Sequence, residues 1–457
     1  MKKNVCLIVS SIFVVCVLSI MFSSCNSEDL NEIPSNQKQE KVVVEENSHA
    51  LSESEALAES QEFSQNRVVE LSSKKAAYLR SLQLDSRNET VKIVNMTVHL
   101  LKESSSSMMV VQKIPVYIVN YKNGAGKASG YTVLVGDDRF SEKVVAFNDE
   151  GECNLFENED ADFWKEQISG YIYDVVNSKP ESSIMKLKSK AQSANYFIRL
   201  NWRTRYHQYG PPYADYTPFR KGARASAGCT ATAMAEIMTY HEWPRQGAYQ
   251  RYKNEKQLET VQTKYPQSSW DLVRKNEEHL FDPLENPIAR DHIANLFAEI
   301  AYKLNTDFVS PTAAYASPSD VPAVFRQMGY RTSNLQWHSS DTSTFSREII
   351  KDVYEKRRPV FMCGWKKSGG GHAFVIMGVV YSVNGASAKH LSYIYIRNGT
   401  AGNDDNWYLA DMFRRPNVVG HIPYPYRYDC AIISGIERDN NNIGSTSLYR
   451  VSSINPY

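Results

Sequence analysis

The stretch "ASAGCTATAMAEIM" occupies positions 225–238 of the 457-residue chain. Four apolar residues in it follow the i, i+3, i+4, i+7 spacing of one helix face: Ala231, Met234, Ala235 and Met238. The Ser-Ala-Gly before them supplies turn residues, and Trp243-Pro244 ends the pattern. The spacing therefore predicts a helix with Cys229 at or beside its N-terminus. Because many of its residues are small, this helix is expected to pack deeply.

The position of Cys229 favours a chemical role. Unpaired backbone N–H groups and the dipole at a helix N-terminus stabilise a thiolate, which is the nucleophilic form of cysteine. Gly228 has no side chain and lets a substrate backbone approach the sulfur closely. Two other interpretations stay open on this stretch alone, namely a small buried apolar residue and one half of a disulfide.

A histidine that suits a thiol nucleophile lies in "KKSGGGHAFVIMGVV", residues 366–380. The glycine loop delivers His372 to the start of an apolar strand, a setting that the other nine histidines do not share. A thiol catalyst needs such an imidazole to accept a proton and later return it to the leaving group. His372 lies 143 positions after Cys229 (372 − 229), within the roughly 130 to 150 that papain-like enzymes have.

Two amide side chains complete the candidate set. Asn398 ends the strand-like run "LSYIYIRN", where its amide can accept a hydrogen bond from His372 Nδ1 and orient the ring. Its Asn-Gly sequence is also that of an ordinary turn, and Asp404 and Asp405 are alternative orienting residues. Gln208, in an aromatic loop upstream, is a candidate donor to an oxyanion, together with the backbone N–H of the nucleophile.

Three motifs resemble the streptopain-type cysteine peptidases, the C10 family of the papain-like clan. They are "GCTATAMAEIMTYHEWP" from position 228, "GGGHAFVIMG" from 369 and "IRNG" from 396. The run "RRPVFMCGW" before His372 is similar to the family's Arg-Pro-Val strand, and "HQYGPPYADYTP" is similar to its glutamine-bearing loop. The resemblance spans about 195–435 and is most specific around Cys229.

The resemblance implies a fold and a role for each candidate residue. The catalytic domain is expected to be papain-like and two-lobed, with a helical lobe followed by an antiparallel β lobe. Cys229 is then the nucleophile, His372 the general base and acid, and Asn398 the residue that orients the imidazole. Gln208 and the Cys229 backbone N–H form the oxyanion hole.

The chain departs from the family's pattern in two places near these residues. The family usually has a tryptophan-rich segment after the asparagine, whereas Gly-Thr-Ala-Gly follows Asn398 here. Trp407 and Trp365 are the candidates to shield the His-Asn contact instead. Glu236 replaces the glutamine that is usual in the helix.

The region upstream of residue 194 predicts a separate small α+β domain. Helical spacing near Val68 is followed by short β-type runs and by a second helical pattern around Phe163. The stretch "PVYIVNYKNGAGKASGYTVLVGDDRF" resembles the family's inhibitory pro-domain. We therefore predict a pro-domain with its processing linker over 68–193, a peptidase domain over 194–439 and a polar tail over 440–457. The fold class expected for the whole is α+β.

The first 24 residues have the pattern of a secretory signal, with Lys2 and Lys3 before an apolar run. "MFSSC" resembles a bacterial lipobox, which implies lipidation of Cys25 and an N-terminal lipid anchor in a membrane; an ordinary cleaved signal is the alternative. Polar residues 25–67 predict a flexible tether. The expected location is that of an exported lipoprotein at the outer membrane or cell surface, with release after processing left open.

Composition and cysteine spacing narrow the function further. Lys and Arg number 52 against 51 Asp and Glu, so a net charge of +1 gives no field that favours nucleic acid. The chain has no CxxC pair and no Cys-His cluster with zinc spacing, so neither a metal nor another cofactor is expected. Cys153, Cys363 and Cys430 leave disulfides open, and a disulfide at Cys229 would abolish the nucleophile.

Together these features predict a secreted cysteine endopeptidase made as a zymogen, which hydrolyses peptide bonds through a Cys-His thiolate and an acyl-enzyme. The expected partners are protein or peptide substrates, and the pro-domain as an intramolecular inhibitor. Two alternatives stay open. One is a catalytically weak or inactive relative that serves as a surface binding module, and the other is a Cys-His amidase or acyltransferase.

Overall fold

The computed structural model describes these residues: 42–70, 89–100, 109–157, 161–177, 194–201, 206–254, 257–275, 286–337, 342–365, 370–384, 388–399, 405–413 and 429–446. The predicted signal, the lipidation site Cys25, the alternative orienting residue Asp404 and the expected cleavage region at 180–193 lie outside the described residues.

Seven α-helices lie in this part of the chain: α1 (Glu53–Glu70), α2 (Ala161–Asn177), α3 (Cys229–His241), α4 (Gln267–Lys275), α5 (Pro287–Lys303), α6 (Val321–Gln327) and α7 (Thr342–Ile350). Two short 3-10 turns occupy Pro318–Asp320 and Ala410–Phe413, and a π turn occupies Lys351–Glu355. Among these described helices, none is both long and apolar enough to cross a membrane.

The strands are β1 (Val42–Glu45), β2 (Glu89–Leu100), β3 (Met109–Lys122), β4 (Ala128–Val135), β5 (Val144–Asn148), β6 (Ala194–Arg199), β7 (Phe219–Arg220), β8 (Ala223–Arg224), β9 (Gln246–Asn254), β10 (Gln257–Lys264), β11 (Asp307–Ser310), β12 (Ala313–Tyr315), β13 (Tyr330–Arg331), β14 (Gln336–Trp337), β15 (Val360–Trp365), β16 (Gly371–Asn384), β17 (Ala388–Arg397), β18 (Asn406–Leu409), β19 (Asp429–Ile433) and β20 (Glu437–Arg438). The described residues within 44–100 and 110–446 form one compact unit, and the second unit contributes only Val42, Val43 and Met109 to the described residues.

One antiparallel sheet runs through the large unit. Its strand order is β2-β3-β4-β5-β18-β17-β16-β15-β19-β14, and β6 also pairs with β16. The junction lies between β5, in the predicted pro-domain, and β18, in the predicted peptidase domain. There Phe147 pairs with Trp407 and Ala146 with Tyr408. The two regions that the sequence separates therefore share a single sheet.

Helix α2 covers one face of this sheet. Side chains alternate between the faces along a strand, so His372 and Phe374 of β16 point to the same side. The rings of Phe163 and Trp164 from α2 contact Phe374 at centroid distances of 5.8 and 6.3 Å. Trp164 also stacks on Tyr408 of β18, with 3.8 Å between centroids.

Helix α3 lies on the opposite face. Val375, which points away from the α2 side, is paired with Arg397 of β17, and the guanidinium of Arg397 reaches Glu236 of α3 at 3.6 Å. All residues from Thr230 to Thr239 are buried, including the four apolar positions that the spacing predicts. A helix enclosed on every side needs this combination of small and apolar residues.

Part of the predicted tether is folded, so the prediction of flexible chain over 25–67 is wrong for its second half. Helix α1 lies there, with Ala56 and Ser60 fully buried. Phe63, one turn later, packs on Phe147 of β5 at a centroid distance of 5.2 Å. These three residues follow i, i+4, i+7 spacing and form a narrow buried face. Most other residues of the helix are polar, so the composition of the segment gives no sign of this face.

The chain is α+β, and the predicted β-type runs correspond to β2–β5, β15–β17 and β19. The predicted polar tail begins later than residue 440, because Ser445 N–H donates to the Gln327 carbonyl at 2.9 Å and the Ile443 carbonyl accepts from Arg245 N–H at 3.0 Å.

Candidate active site

Cys229 is the first residue of α3, as the helical pattern predicts. Gly228 before it has φ +88°, and a Cβ there would lie 3.3 Å from the carbonyl oxygen of Ala314. The Gly228 N–H donates to Ser226 Oγ at 3.0 Å, and its carbonyl accepts the Thr232 N–H at 3.1 Å. Backbone angle and space both favour glycine at this turn, which fixes where the thiol is presented.

Gln208 lies beside the same turn. Its main-chain carbonyl accepts the Ala227 N–H at 3.0 Å and the Ser226 hydroxyl at 2.8 Å. Two hydrogen bonds from the residues just before Cys229 therefore hold the Gln208 backbone next to the predicted nucleophile. An oxyanion hole needs its side-chain donor in this neighbourhood.

His372 and Asn398 lie at one end of the sheet. Strand β16 begins at Gly371 and its antiparallel neighbour β17 ends at Arg397, so the residues that follow these two points are close in space. Arg397 points to the α3 side, and Asn398 directly follows it at the end of β17. His372 and Asn398 are both buried, with 8% and 1% of their surfaces exposed.

The turn after Asn398 reaches helix α3. Gly399 has φ +71°, and a Cβ there would lie 2.7 Å from the methyl carbon of Thr232. Thr232 is one turn into α3 from Cys229. This close approach brings the N-terminal turn of α3, which begins at Cys229, against the turn that follows Asn398.

The His372 imidazole packs between two phenylalanines. Its ring centroid lies 5.6 Å from that of Phe163 in α2 and 5.9 Å from that of Phe374. One turn later in α2, Gln167 Nε2 donates to Cys430 Sγ at 3.8 Å, on a strand two places from β16. A helix of the predicted pro-domain thus lies directly on the sheet face that carries His372.

The four cysteines of the described chain are Cys153, Cys229, Cys363 and Cys430, and none of them forms a disulfide. Burial raises the pKa of the Cys363 thiol, and the nearby thiols of Cys430 and Cys229 act in the same direction. Cys363 is therefore held as a neutral thiol. No disulfide occupies the sulfur of Cys229 in this structure.

A buried ion network beside Asn398 was missed in the sequence. Arg397 Nε lies 3.2 Å from Asp405 Oδ2 and 3.6 Å from Glu236 Oε2, and each side chain is at most 6% exposed. Asp405 Oδ1 accepts the Asn398 N–H at 3.3 Å. Glu236 and Asp405 each stand out in the sequence, as a departure from the family and as an alternative orienting residue, but no local pattern joins them through Arg397.

Burial raises the pKa of Glu236 to about 7. The guanidinium of Arg397 acts in the opposite direction, Asp405 adds to the rise, and the backbone N–H of Tyr206 lowers the pKa. The hydroxyl of Tyr213 also faces Glu236, and burial keeps its pKa well above the ordinary phenol value, so that it stays neutral. Glu236 therefore exchanges its proton near neutral pH.

The two tryptophans proposed as substitutes occupy different places. Trp407 lies over Gly378, whose Cβ would approach the indole to 2.8 Å, six residues along β16 from His372. Trp365 lies against Gly371, directly before His372, where a Cβ would come within 2.5 Å of the ring. Trp365 is therefore next to the site and Trp407 is not.

Comparison with known proteins finds a family model that covers this site. Residues 206–408 match the model of the Peptidase C10 family. Streptopain from Streptococcus pyogenes is 23% identical over 327 residues, a match that covers 67% of this chain and 76% of streptopain.

Two solved structures from Prevotella intermedia are also similar. A mutant fragment of prointerpain A has a TM-score of 0.50 and 17% sequence identity, and the match covers 75% of this chain and 98% of the fragment. Active wild-type interpain A, a cysteine protease, has a TM-score of 0.38 and 18% identity over 52% of this chain and 94% of its own. At 17% identity, the similarity to the prointerpain A fragment is evidence for a similar fold alone.

Glu236→Gln is expected to change how stability depends on pH. The Glu236 pKa is about 7 in the folded protein against an ordinary value of 4.5, so between these values the folded state binds more protons than the unfolded state. The wild type should therefore lose stability relative to the variant as pH rises from about 5 to about 7. Urea unfolding of both proteins across this range measures the difference, and a constant difference would contradict the raised pKa.

Proposed function

We propose that this chain, a streptopain-like cysteine peptidase of the C10 family, cleaves peptide bonds with Cys229 as nucleophile and His372 as proton carrier. One observation carries the assignment. Cys229 opens helix α3 behind a glycine turn, and Gly399, the residue after Asn398, packs against Thr232 in the first turn of this helix.

The reaction follows from these positions. The Cys229 thiolate, stabilised at the helix N-terminus, attacks the carbonyl carbon of the scissile bond, and the carbonyl electron pair moves to oxygen. The Cys229 N–H and the Gln208 side chain are the proposed donors to this oxyanion. His372 gives its proton to the leaving amine, and Asn398 orients the imidazole. Water, deprotonated by His372, then hydrolyses the thioester.

We further propose that the chain is made as a zymogen whose pro-domain lies within residues 68–193. Support comes from α2, which lies on the sheet face of His372 with Phe163 against the imidazole. A protein substrate cannot reach this face while α2 covers it. The streptopain match extends over more of the chain than residues 206–408, and the similar prointerpain A fragment is a pro-form.

Release of the pro-domain requires more than a cut in the linker. Besides the pairing of β5 with β18, Asn148 Nδ2 donates to the Asp405 carbonyl at 2.7 Å and to Asn406 Oδ1 at 2.9 Å. The Trp164–Tyr408 stack lies in the same interface. We therefore expect the cleaved pro-domain to stay bound until it is degraded.

The proposed location is outside the cytoplasm, as a lipoprotein anchored through Cys25 at the outer membrane or cell surface. The basic, apolar and small-residue order of positions 1–24 and the "MFSSC" sequence support this location. Incorporation of a labelled fatty acid by cells that express the full chain, and its loss in Cys25→Ser, is the expected result. Equal labelling of both proteins would contradict it.

The purified Cys229→Ala precursor is expected to stay intact, whereas the wild-type precursor cleaves itself within 180–193. Mass spectrometry of both proteins over time identifies the cut. Cys153→Ala is the matched control, because Cys153 lies in the predicted pro-domain and its N–H bonds to Asn120 Oδ1. If Cys229→Ala precursor is processed at the wild-type rate with no other peptidase present, the nucleophile assignment is wrong.

Phe163→Ala is expected to speed self-processing several-fold, because it removes the ring that packs on His372 and loosens α2 from the sheet. Truncation of a buried phenylalanine costs about 3 to 5 kcal/mol, enough to weaken the covering helix. Phe156→Ala, which truncates another buried phenylalanine of this region outside α2, is the control. Equal acceleration in both variants would mean that general loosening of the pro-domain, and not the Phe163 contact, governs processing.

A further inference from the structure

We propose that Asp405 is a positioning residue for Asn398, held in place by Arg397 and tied through Glu236 to the helix that carries Cys229. The inference rests on the proposed role of Asn398 as the residue that orients His372. It adds a requirement to that role, since an amide orients a ring only when its own backbone is fixed.

The first step is the bond that holds the backbone of Asn398. The ladder between β17 and β18 ends with the pair Ile396 and Asn406, so Asn398 lies beyond it. Asp405 Oδ1 accepts the Asn398 N–H at 3.3 Å, and Asp405 Oδ2 faces Arg397 Nε at 3.2 Å. One carboxylate therefore accepts hydrogen bonds from two successive residues at the strand end. These bonds fix the backbone of Asn398, which the ladder between β17 and β18 does not reach.

The second step concerns the charges. Arg397 stays protonated, and a buried guanidinium must be compensated by acidic partners. Asp405 supplies one at hydrogen-bonding distance, Glu236 supplies a second when it is ionised, and all three side chains are almost completely withdrawn from water. Removal of one partner leaves an uncompensated buried charge, which is costly. The positions of the three side chains therefore depend on one another.

The third step is the tie to the nucleophile. Glu236 lies seven residues after Cys229, two turns along α3, and its backbone belongs to the buried part of that helix. A second contact joins the same elements, since Gly399 lies against the methyl group of Thr232. The strand end that bears Asn398 is thus fixed to α3 by the ion network and by this close packing.

The network belongs to the peptidase domain alone. Asn148 of the predicted pro-domain donates to the Asp405 main-chain carbonyl at 2.7 Å, but the Asp405 carboxylate contacts Arg397 and Asn398. Loss of the pro-domain would remove the first contact and leave the other two. This chain has Gly-Thr-Ala-Gly where the family usually has tryptophans after the asparagine. Asp405 instead fixes the strand end, by a hydrogen bond to Asn398 N–H and by its charge next to Arg397.

A double-mutant cycle on the processed enzyme tests the inference. Precursors of Asp405→Ala, Asn398→Ala and the double variant are processed by a trace of wild-type enzyme and assayed on fluorescently labelled casein. Each single substitution should lower kcat about 10- to 100-fold, the scale of a misplaced catalytic group, with KM little changed. The double variant should be no slower than the slower single variant, because both act on one orienting amide.

The chain offers a matched control in Asp352. Its carboxylate accepts Arg358 Nε at 2.9 Å and the backbone N–H of Gly435, so it repeats the arrangement of Asp405 with Arg397 and Asn398. Asp352→Ala should lower the urea midpoint as Asp405→Ala does, but leave kcat of the processed enzyme unchanged. Asp405→Asn, which keeps an acceptor oxygen but loses the charge, should give an intermediate kcat and also serves if Asp405→Ala does not fold.

The outcomes separate the two levels of the proposal. An unchanged kcat in Asn398→Ala overturns the orienting role of Asn398 and, with it, this inference. A lowered kcat in Asn398→Ala combined with an unchanged kcat in Asp405→Ala and Asp405→Asn overturns the inference alone. Independent, multiplying losses in the double variant, or an equal loss of kcat in Asp352→Ala, also overturn it, because the effect of Asp405 would then be one of general stability.

Discussion

The complete burial of helix α3 is the constraint on which the rest of the structure depends. Ten successive residues of this helix are withdrawn from water, so every polar group among them needs a partner within the protein. Thr232 meets this need locally, because its hydroxyl donates to the Gly228 carbonyl at 3.0 Å. Glu236 cannot do so, and its carboxylate requires the cation of Arg397 from the sheet. The burial of the helix that begins at Cys229 thus also favours an arginine at position 397, directly before Asn398.

The sheet joins the predicted pro-domain to the predicted peptidase domain. Strands β5 and β18 are consecutive in the sheet although they come from opposite sides of the proposed cleavage region, and their pairing buries the stacked rings of Phe147 and Trp407. An edge strand left unpaired exposes main-chain donors and acceptors, so separation of the two strands is costly. The pairing of β5 with β18 therefore also keeps α2 in place, with Phe163 against His372. Contacts away from the imidazole therefore hold α2 on this face of the sheet.

Local patterns predicted what depends on neighbours in sequence. The spacing of small and apolar residues located α3, the glycine loop placed His372 at a strand start, and alternation identified most strands of the sheet. Long-range pairings were not predictable in this way, because the register between β5 and β18 joins residues about 260 positions apart and leaves no local trace. Helix α1 was missed for another reason. Its buried face is only one residue wide and includes the polar residue Ser60. A face this narrow leaves the composition of the segment polar, so the segment resembles a flexible tether.

The ion network and an indole shield would solve the same problem by different physics. An indole protects a hydrogen bond by excluding water with its bulk, and it acts wherever its ring can be packed. The carboxylate of Asp405 instead fixes a direction, since it binds one N–H of the main chain and one edge of a guanidinium. Directional contacts between charges are strong only where water is excluded, and here α3 excludes it. The helix that begins at Cys229 therefore also supplies the dry surroundings in which Arg397 and Asp405 can hold Asn398 in place.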